Sequence, residues 1–186
     1  MCLVLFAVDP HPDVPLVLLA NRDEVYARPT ARAGRWADAP RVLAGRDLDK
    51  GGTWVGVAPN GRFAAVTNVR HPSARRDGAS RGALVADYLR GSSTPERFAR
   101  ELDRDRYPAF NLLLRDESGV YYATEAGRFE RVGPGVHGLS NARLDDPWPK
   151  VTRGTARLSA LTARLPDALD EEAAFGLLGD RRGAPD

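Results

Sequence analysis

The sequence contains one cysteine, one methionine and three histidines among its 186 residues. A single cysteine cannot form an internal disulfide or a cysteine zinc cluster, so Cys2 is either an inert buried thiol or a reactive one. His11, His71 and His137 lack the spacing of metal ligands to one another, and no phosphate-binding glycine motif is present. The sequence therefore gives little support to a metal site or to nucleotide binding.

Lysine is equally scarce, because only Lys50 and Lys150 contribute to the 27 basic residues, which face 25 acidic ones. The formal net charge of +2 and the interleaved signs are typical of a solvated mixed surface, so we expect no nucleic-acid partner. No apolar run approaches the ~20 residues that span a bilayer, and no basic residue precedes the first apolar run. We expect neither an integral membrane segment nor a signal peptide, and hence a cytoplasmic protein.

Apolar runs predict blocks of strands that alternate with blocks of helices. Residues 2–8 and 16–20 predict one hairpin, and the runs around Asn60-Gly61 predict a second that ends at Asn68. Residues 26–49, which contain two prolines and two glycines, predict a long irregular loop with short strand fragments at best.

Helices are expected at residues 80–90, after Thr94, from Asp146-Pro147 and at about 170–178, with strands at 110–114, 120–124 and 136–141. This order predicts an α+β fold with helices on mostly antiparallel sheets. We expect a single domain over residues 1–178 and a polar tail over residues 179–186.

Cys2 is the residue with the most informative position. A small second residue normally permits removal of Met1, which leaves a thiol and a free α-amine on one residue. An α-amine titrates near ~7.7 to 8.0 and a free thiol near ~8.5, so proton transfer between them is nearly thermoneutral. Cys2 could then supply both nucleophile and base. The competing interpretation is a small buried residue at the start of a strand.

Polar residues follow three of the predicted strands. Alternation after the second strand predicts that Asn21 and Asp23 share one face, with Asp23 holding an N-terminal ammonium, while Arg22 and Glu24 pair on the other. A solvated turn is the alternative.

Two asparagines stand at the ends of further apolar runs. Asn68 and Asn141 each follow a hydroxyl residue, and an uncharged amide donor suits a developing oxyanion. The alternative for each is a turn residue at a strand end.

The chain resembles the NRDE family, also called the transport and Golgi organisation protein 2 family, from residue 1 to about residue 155. The motifs that carry the resemblance, in chain order, are Met1-Cys2, Leu19-Ala20-Asn21-Arg22-Asp23-Glu24 with Arg28-Pro29, Gly51-Gly52-Thr53-Trp54-Val55-Gly56, Thr67-Asn68-Val69-Arg70, Ser80-Arg81-Gly82, Phe110-Asn111-Leu112, Gly138-Leu139-Ser140-Asn141 and Pro147-Trp148-Pro149-Lys150. A single motif would be weak, but the ordered set is specific.

The resemblance implies a four-layer αββα sandwich of two mostly antiparallel sheets, similar to N-terminal-nucleophile hydrolases and distantly to penicillin and bile-salt amidases. In those amidases an N-terminal cysteine is the nucleophile, supported by polar strand ends. The residues that match their catalytic groups are Cys2, Asp23, Asn68 and Asn141, and those that would support the substrate or the structure are Asn21, Arg22, Glu24 and Trp54. Ala20 stands where the amidases have an arginine. Relatives also continue with a strand-rich segment, so either a C-terminally truncated chain or a sheet short of edge strands is expected.

Two functions follow from the resemblance. One is a cysteine-dependent amidohydrolase or acyl-transfer enzyme acting on a small linear amide or thioester, with no resident cofactor. The other is a non-catalytic carrier or trafficking protein for haem or acyl lipids, in which Cys2, His71 or His137 would ligate the haem iron. The expected partner is a small-molecule substrate or an apolar ligand, and the sequence does not indicate an oligomeric state.

Overall fold

The computed structural model describes residues 2–70, 74, 77–166 and 169–179. Over these residues the strands are β1 (Leu3–His11), β2 (Val14–Asn21), β3 (Thr30–Trp36), β4 (Ala39–Asp47), β5 (Val55–Ala58), β6 (Arg62–Asn68), β7 (Phe110–Asp116), β8 (Gly119–Thr124), β9 (Phe129–Val132) and β10 (Gly135–Leu139). The helices are α1 (Gly82–Arg90), α2 (Pro95–Glu101), α3 (Pro149–Thr162) and α4 (Glu171–Leu178), with a short 3-10 turn at Arg104–Arg106.

The chain divides into two compact units, one made of Met1–Asp23 with Gly133–Asp186 and the other of Glu24–Val132. Each unit consists of an antiparallel sheet and two α-helices that contact it. The predicted α+β class with two antiparallel sheets is therefore confirmed, and it is compatible with a layered sandwich. The single domain over residues 1–178 stays a prediction, and residues 180–186 of the predicted tail lie outside the described residues.

The first unit has a three-stranded sheet in the order β10-β1-β2, so the N-terminal strand is central. Residues 3–8 of β1 are all buried. Alternate residues along β1 and β2 pack with α3 and α4 in one core cluster. Its buried members are Leu3, Leu5, Ala7, Val17, Val151, Leu158 and Leu177.

Two glycines allow α3 to lie close to this sheet. A Cβ at Gly154 would lie 2.7 Å from Leu5 Cδ1, and one at Gly138 would lie 2.6 Å from Val151 Cγ1. The helix begins at Pro149, two residues later than predicted, and Trp148 precedes it. Pro149 therefore occupies the first helical position, where a proline is well tolerated.

The second unit has a seven-stranded sheet in sequential order from β3 to β9, with every pair antiparallel. The hairpin of β5 and β6 is confirmed: Ala58 pairs with Arg62, and the turn between them has positive φ at Asn60 (61°) and Gly61 (65°), a conformation that Asn and Gly tolerate better than other residues. Helix α1 buries Leu84, Val85 and Tyr88 against the strands. Thr94 caps α2 as predicted, since its hydroxyl accepts a hydrogen bond from the Arg97 N–H at 3.3 Å.

Residues 26–49 do not form the predicted irregular loop, because most of them belong to the hairpin of β3 and β4. Strand β3 is the sheet edge and most of its residues are exposed, so the buried alternation that identifies a strand is absent. The pairing register also shifts between Ala31 and Gly34, and Pro40 lies near the start of β4. These irregularities at a sheet edge produced the wrong prediction.

None of the helices within the described ranges has the length and apolar character needed to cross a membrane.

Close backbone contact in the second unit generates a stability prediction. A Cβ at Gly52 would lie 2.5 Å from the Gly82 carbonyl carbon, and the neighbouring Thr53 N–H donates to the Gly82 oxygen at 3.2 Å. We expect Gly52→Ala to lower the free energy of unfolding by about 1–3 kcal/mol through overpacking. Urea titration is the measurement.

The control for this variant is Gly34→Ala, because no heavy atom lies within 4 Å of an added Cβ there. The control should change stability by less than about 0.5 kcal/mol. Equal midpoints for the two variants would contradict the close contact at Gly52.

Candidate functional site

Several of the predicted site residues lie at one end of the three-stranded sheet. Because the strands are antiparallel, β1 begins where β2 and β10 end: Leu3 is opposite Asn21, and Val4 is opposite Leu139. Cys2 precedes β1, Arg22 and Asp23 follow β2, and Asn141 follows β10. The structure therefore brings Cys2, Asn21, Asp23 and Asn141 to the same end of one sheet.

The main-chain carbonyl of Cys2 is held by two side chains. The Ser140 hydroxyl donates to this oxygen at 2.9 Å, and the Lys150 ammonium donates to it at 3.0 Å. Cys2 itself is a free, partly exposed cysteine. Lys150 lies in the first turn of α3, and its Nζ is 5.7 Å from the centre of the Trp148 ring. The residue at the start of β1 is thus anchored to both the end of β10 and the start of α3.

Asn141 and Ser140 are almost fully buried, with exposed fractions of 1% and 2%. The Ser140 hydroxyl lies 3.5 Å from Asn141 Oδ1. Buried amides are normally held in a fixed orientation by hydrogen bonds, and a fixed donor is what an oxyanion site requires. The catalytic role of Asn141 stays a prediction.

Asn21 interacts with the helix side of the sheet. Its Nδ2 donates to the Leu178 carbonyl at 3.3 Å, at the end of α4. Its Oδ1 is buried and has no hydrogen-bond partner among the described residues. Strand β2 ends at Asn21, so the alternation expected to join Asn21 and Asp23 on one face does not extend to Asp23.

Glu24 belongs to the second unit, where it lies beside an arginine. Its Oε2 is 3.9 Å from Arg28 Nε, and Arg28 Nη2 also contacts Asp47 Oδ2 at 2.6 Å. The hydrogen bond from Arg28 helps to hold the pKa of Asp47 below its usual range, although burial opposes this shift. Arg22 lies in the first unit and is half-buried. Glu24 thus has an ion-pair partner in Arg28, and its pairing with Arg22 stays a prediction.

Asn68 and Trp54 also lie in the second unit. Asn68 ends β6 opposite Phe110 and is exposed. Trp54 packs against the core of this unit, and its carbonyl accepts a hydrogen bond from the Val66 N–H at 2.9 Å. Their roles as an oxyanion donor and as support for the substrate stay predictions.

Sequence reasoning missed two polar arrangements. Ser140 and Lys150 were noted only as parts of motifs, although their contacts with Cys2 join residues far apart in the chain. In the second unit, Asn111 Nδ2 donates to the Thr67 hydroxyl at 3.2 Å and the Tyr122 hydroxyl donates to Asn111 Oδ1 at 2.6 Å. An asparagine inside an apolar strand was the available signal for this second group.

His137 has hydrogen-bond partners at both ring nitrogens. Nδ1 lies 2.8 Å from Asp145 Oδ2 and Nε2 lies 3.0 Å from the Gly133 carbonyl. Two acceptors favour the imidazolium, so the bond to Asp145 raises the pKa of His137 despite its burial. Burial opposes ionisation of Asp145, but the bonds from His137 and from the Gly138 N–H outweigh it and lower the pKa of Asp145.

These contacts bear on the ligands proposed for haem iron. Coordination by His137 would require loss of one of its two hydrogen bonds. His71 lies outside the described residues. Within the ranges that the structure describes, no group of three or more His, Cys, Asp or Glu side chains is arranged to hold a metal ion.

Asp145 also closes the loop that contains Ser140 and Asn141. Its Oδ1 accepts from the Gly138 N–H at 2.8 Å, and its own N–H donates to the Gly138 carbonyl at 2.9 Å. Asp145 has a positive φ of 59°, which an aspartate tolerates better than most side chains. The ion pair with His137 therefore stabilises the loop that carries the candidate site.

This ion pair predicts a pH-dependent stability. The pKa of His137 is raised, so its contribution is complete below the ordinary value of 6.5 and is lost as pH rises through the higher folded value. The pKa of Asp145 is lowered, so its contribution is complete above 3.8 and is lost as pH falls through the lower folded value. We expect His137→Gln to cost about 1 kcal/mol near pH 5.5, allowing for the solvent exposure of Asp145, and clearly less near pH 9.

Urea unfolding of both proteins at the two pH values measures this difference. His11→Gln, at the end of β1, is the comparison variant: its Nδ1 lies 3.7 Å from the exposed Asp13 Oδ2, and its loss of stability near pH 5.5 should be smaller than that of His137→Gln. A loss from His137→Gln that is equal at both pH values would exclude a contribution from the charged pair.

Comparison with known proteins identifies relatives over nearly the whole chain. The family model described as "Transport and Golgi organisation 2" matches residues 1–183. The "Transport and Golgi organization protein 2 homolog" of Bos taurus is 35% identical over 206 residues, covering 100% of this chain and 75% of that protein. The Homo sapiens protein of the same name is 34% identical over 170 residues, covering 83% of this chain and 62% of that protein.

A more distant relative extends this comparison to insects. The "Transport and Golgi organization protein 2" of Drosophila melanogaster is 28% identical over 183 residues, covering 87% of this chain and 65% of that protein. The chain thus spans less than two thirds of the length of the human and Drosophila relatives. These matches agree with the family that the ordered motifs predicted.

Proposed function

Since the chain belongs to the Transport and Golgi organisation 2 family, we propose that it is a cysteine-dependent enzyme of the N-terminal-nucleophile type, acting on a small linear amide or thioester. The observation that carries this proposal is the anchoring of Cys2, whose carbonyl accepts hydrogen bonds from Ser140 and Lys150. The buried Asn141 at the same sheet end supports it. A cytoplasmic location is part of the proposal.

The proposed reaction begins after Met1 has been removed. The Cys2 thiol transfers its proton to its own α-amine, and the sulfur attacks the substrate carbonyl carbon to form an S–C bond. The tetrahedral intermediate expels the leaving group, an amine or a thiol, which takes the proton from the α-ammonium. Water, or another nucleophile in acyl transfer, then attacks the thioester carbonyl carbon and gives a proton to the α-amine. The S–C bond breaks, the acyl group leaves on the attacking atom, and the α-ammonium gives that proton to the sulfur.

The remaining residues have distinct roles in this proposal. Asp23 holds the α-ammonium that forms during the attack, because a carboxylate stabilises a nearby positive charge. Asn141 donates a hydrogen bond to the oxyanion of the tetrahedral intermediate. The role of oxyanion donor is proposed for Asn68 from the sequence alone. Asn21, which bonds the end of α4, has the role of structural support.

A second candidate function is a carrier for haem or an acyl lipid, favoured by the word "Transport" in the names of the relatives. In this case apolar walls supply most of the binding energy, and Cys2 contributes at most a ligand to iron. His137 is a weak candidate ligand because both of its ring nitrogens are already hydrogen-bonded. In the enzyme the Cys2 thiol must act as a nucleophile, whereas in the carrier it is at most a ligand to iron.

The reactivity of Cys2 tests the enzyme directly. At pH 7 the processed protein should react with iodoacetamide at least about 10-fold faster than an ordinary thiol such as N-acetylcysteine, whose amine is blocked, because the Cys2 thiol has an adjacent base. All labelling reports on Cys2, since the chain has one cysteine. Intact mass before labelling measures the fraction that has lost Met1.

Protein that retains Met1 is the matched control, because it has the same thiol and a blocked amine. Its rate of alkylation by iodoacetamide should fall to that of an ordinary thiol. Cys2→Ala should abolish turnover of an amide and thioester panel and leave haem binding within about 2-fold. Ordinary reactivity in the processed protein, together with loss of haem binding in Cys2→Ala, would reject the enzyme and favour the carrier.

The asparagines give an independent prediction once a substrate is found. Asn141→Ala or Asn68→Ala should lower kcat by roughly 10² to 10³, the usual effect of losing one oxyanion donor. KM should change much less, since the donor acts mainly in the transition state. Steady-state kinetics measures both constants, and circular dichroism checks that each variant is folded. Unchanged kcat in both variants would remove the asparagines from the mechanism.

A further inference from the structure

Lys150 is a charged residue next to Cys2 that the proposed reaction does not use. Its Nζ lies 3.0 Å from the Cys2 carbonyl oxygen. A carbonyl oxygen is only about 3–4 Å from the α-nitrogen of its own residue, because three covalent bonds separate them. The ammonium of Lys150 therefore lies no more than about 7 Å from the Cys2 α-nitrogen.

The second donor on this carbonyl is uncharged. Ser140 Oγ donates at 2.9 Å, and the residue is 2% exposed, so this bond is shielded from water. With one donor from the end of β10 and one from α3, the Cys2 peptide plane is fixed from two directions. The side chain and the α-nitrogen keep only the rotations about their own bonds, which reduces the entropy lost when the thiol attacks a substrate.

We propose that Lys150 is a positioning residue for Cys2: with Ser140 it fixes the Cys2 carbonyl, and its charge keeps the α-amine of the processed chain in the neutral form that accepts the thiol proton. A nearby positive charge disfavours a second one on the amine, which leaves the amine able to accept a proton. The other charged residues on the segments at this sheet end are Arg22, Asp23, Arg143, Asp145, Asp146 and Arg153. The inference rests on the proposed function, since it assigns Lys150 to the same nucleophile.

The test is the pH dependence of iodoacetamide alkylation in the processed protein and its variants. Lys150→Gln keeps a hydrogen-bond donor and removes the charge. We expect its half-maximal rate to move about one pH unit higher, so that alkylation at pH 7 slows by about 10-fold. Lys150→Arg keeps the charge and should stay within about 3-fold of the unchanged protein.

Two further variants separate charge from general damage to the fold. Ser140→Ala should slow alkylation at every pH without moving the half-maximal point, because it removes a neutral donor. Lys50→Met removes the other lysine of the chain, which is exposed and lies 3.3 Å from Asp49, and it should behave like the unchanged protein. Thermal unfolding of each variant confirms that it is folded.

The outcomes distinguish this inference from the proposed function. If the processed protein is hyper-reactive and Lys150→Gln has the same profile, the role of Lys150 is wrong and the N-terminal nucleophile stands. If the processed protein has only ordinary thiol reactivity, the nucleophile is wrong and the role of Lys150 is rejected with it. If Lys150→Gln does not fold, Lys150→Arg is the test. A pH dependence of alkylation that differs between Lys150→Arg and the unchanged protein would then reject the role proposed for the Lys150 charge.

Discussion

Backbone pairing of β1 is the constraint on which the first unit depends. As the central strand between β10 and β2, β1 uses both of its edges in hydrogen bonding, and its residues 3–8 are fully buried. A strand held in this way cannot slide by one residue without moving its buried side chains to the opposite face. The position of Cys2 is therefore determined by the register of Leu3 with Asn21 and of Val4 with Leu139. The nucleophile proposed here directly precedes this paired and buried strand, whereas most chain termini are not tied down in this way.

The same register explains why polar residues so distant in sequence meet. Ser140 follows the last residue of β10, and Lys150 belongs to the first turn of the next helix, which packs over Leu5 through Gly154. The loop between them is closed by Asp145, which bonds the Gly138 main chain and the His137 ring. Burial of Ser140 and Asn141 carries a desolvation cost, which hydrogen bonds such as that from Ser140 to Cys2 offset. Stability of the loop and the geometry at Cys2 are therefore parts of one arrangement.

Sequence reasoning succeeded where local chemistry decides the structure. The Asn60-Gly61 turn, the Thr94 cap and the first hairpin followed from side-chain types at fixed spacing. It failed for residues 26–49, where an exposed edge strand has no buried face to produce alternation. The candidate site divides in the same way: Cys2 could be identified from its position in the chain, and the strand-end asparagines from their neighbours. Lys150 could not be assigned to Cys2, because their contact depends on pairing between β1 and β10, which no local pattern reports.

The choice between an enzyme and a carrier depends on which groups at this sheet end remain available to a ligand. A carrier that coordinated iron through His137 would lose either the bond to the Asp145 carboxylate or the bond to the Gly133 carbonyl. Because the pKa of His137 is raised, its proton would also be harder to displace. Among the described residues, the two side-chain bonds that anchor Cys2 go to its main-chain oxygen and not to its sulfur. Both lone pairs of this carbonyl are thereby satisfied, as a carbonyl that is shielded from water requires. The residue is held through its backbone, and a thiol that is not an anchoring group is what the proposed nucleophile needs.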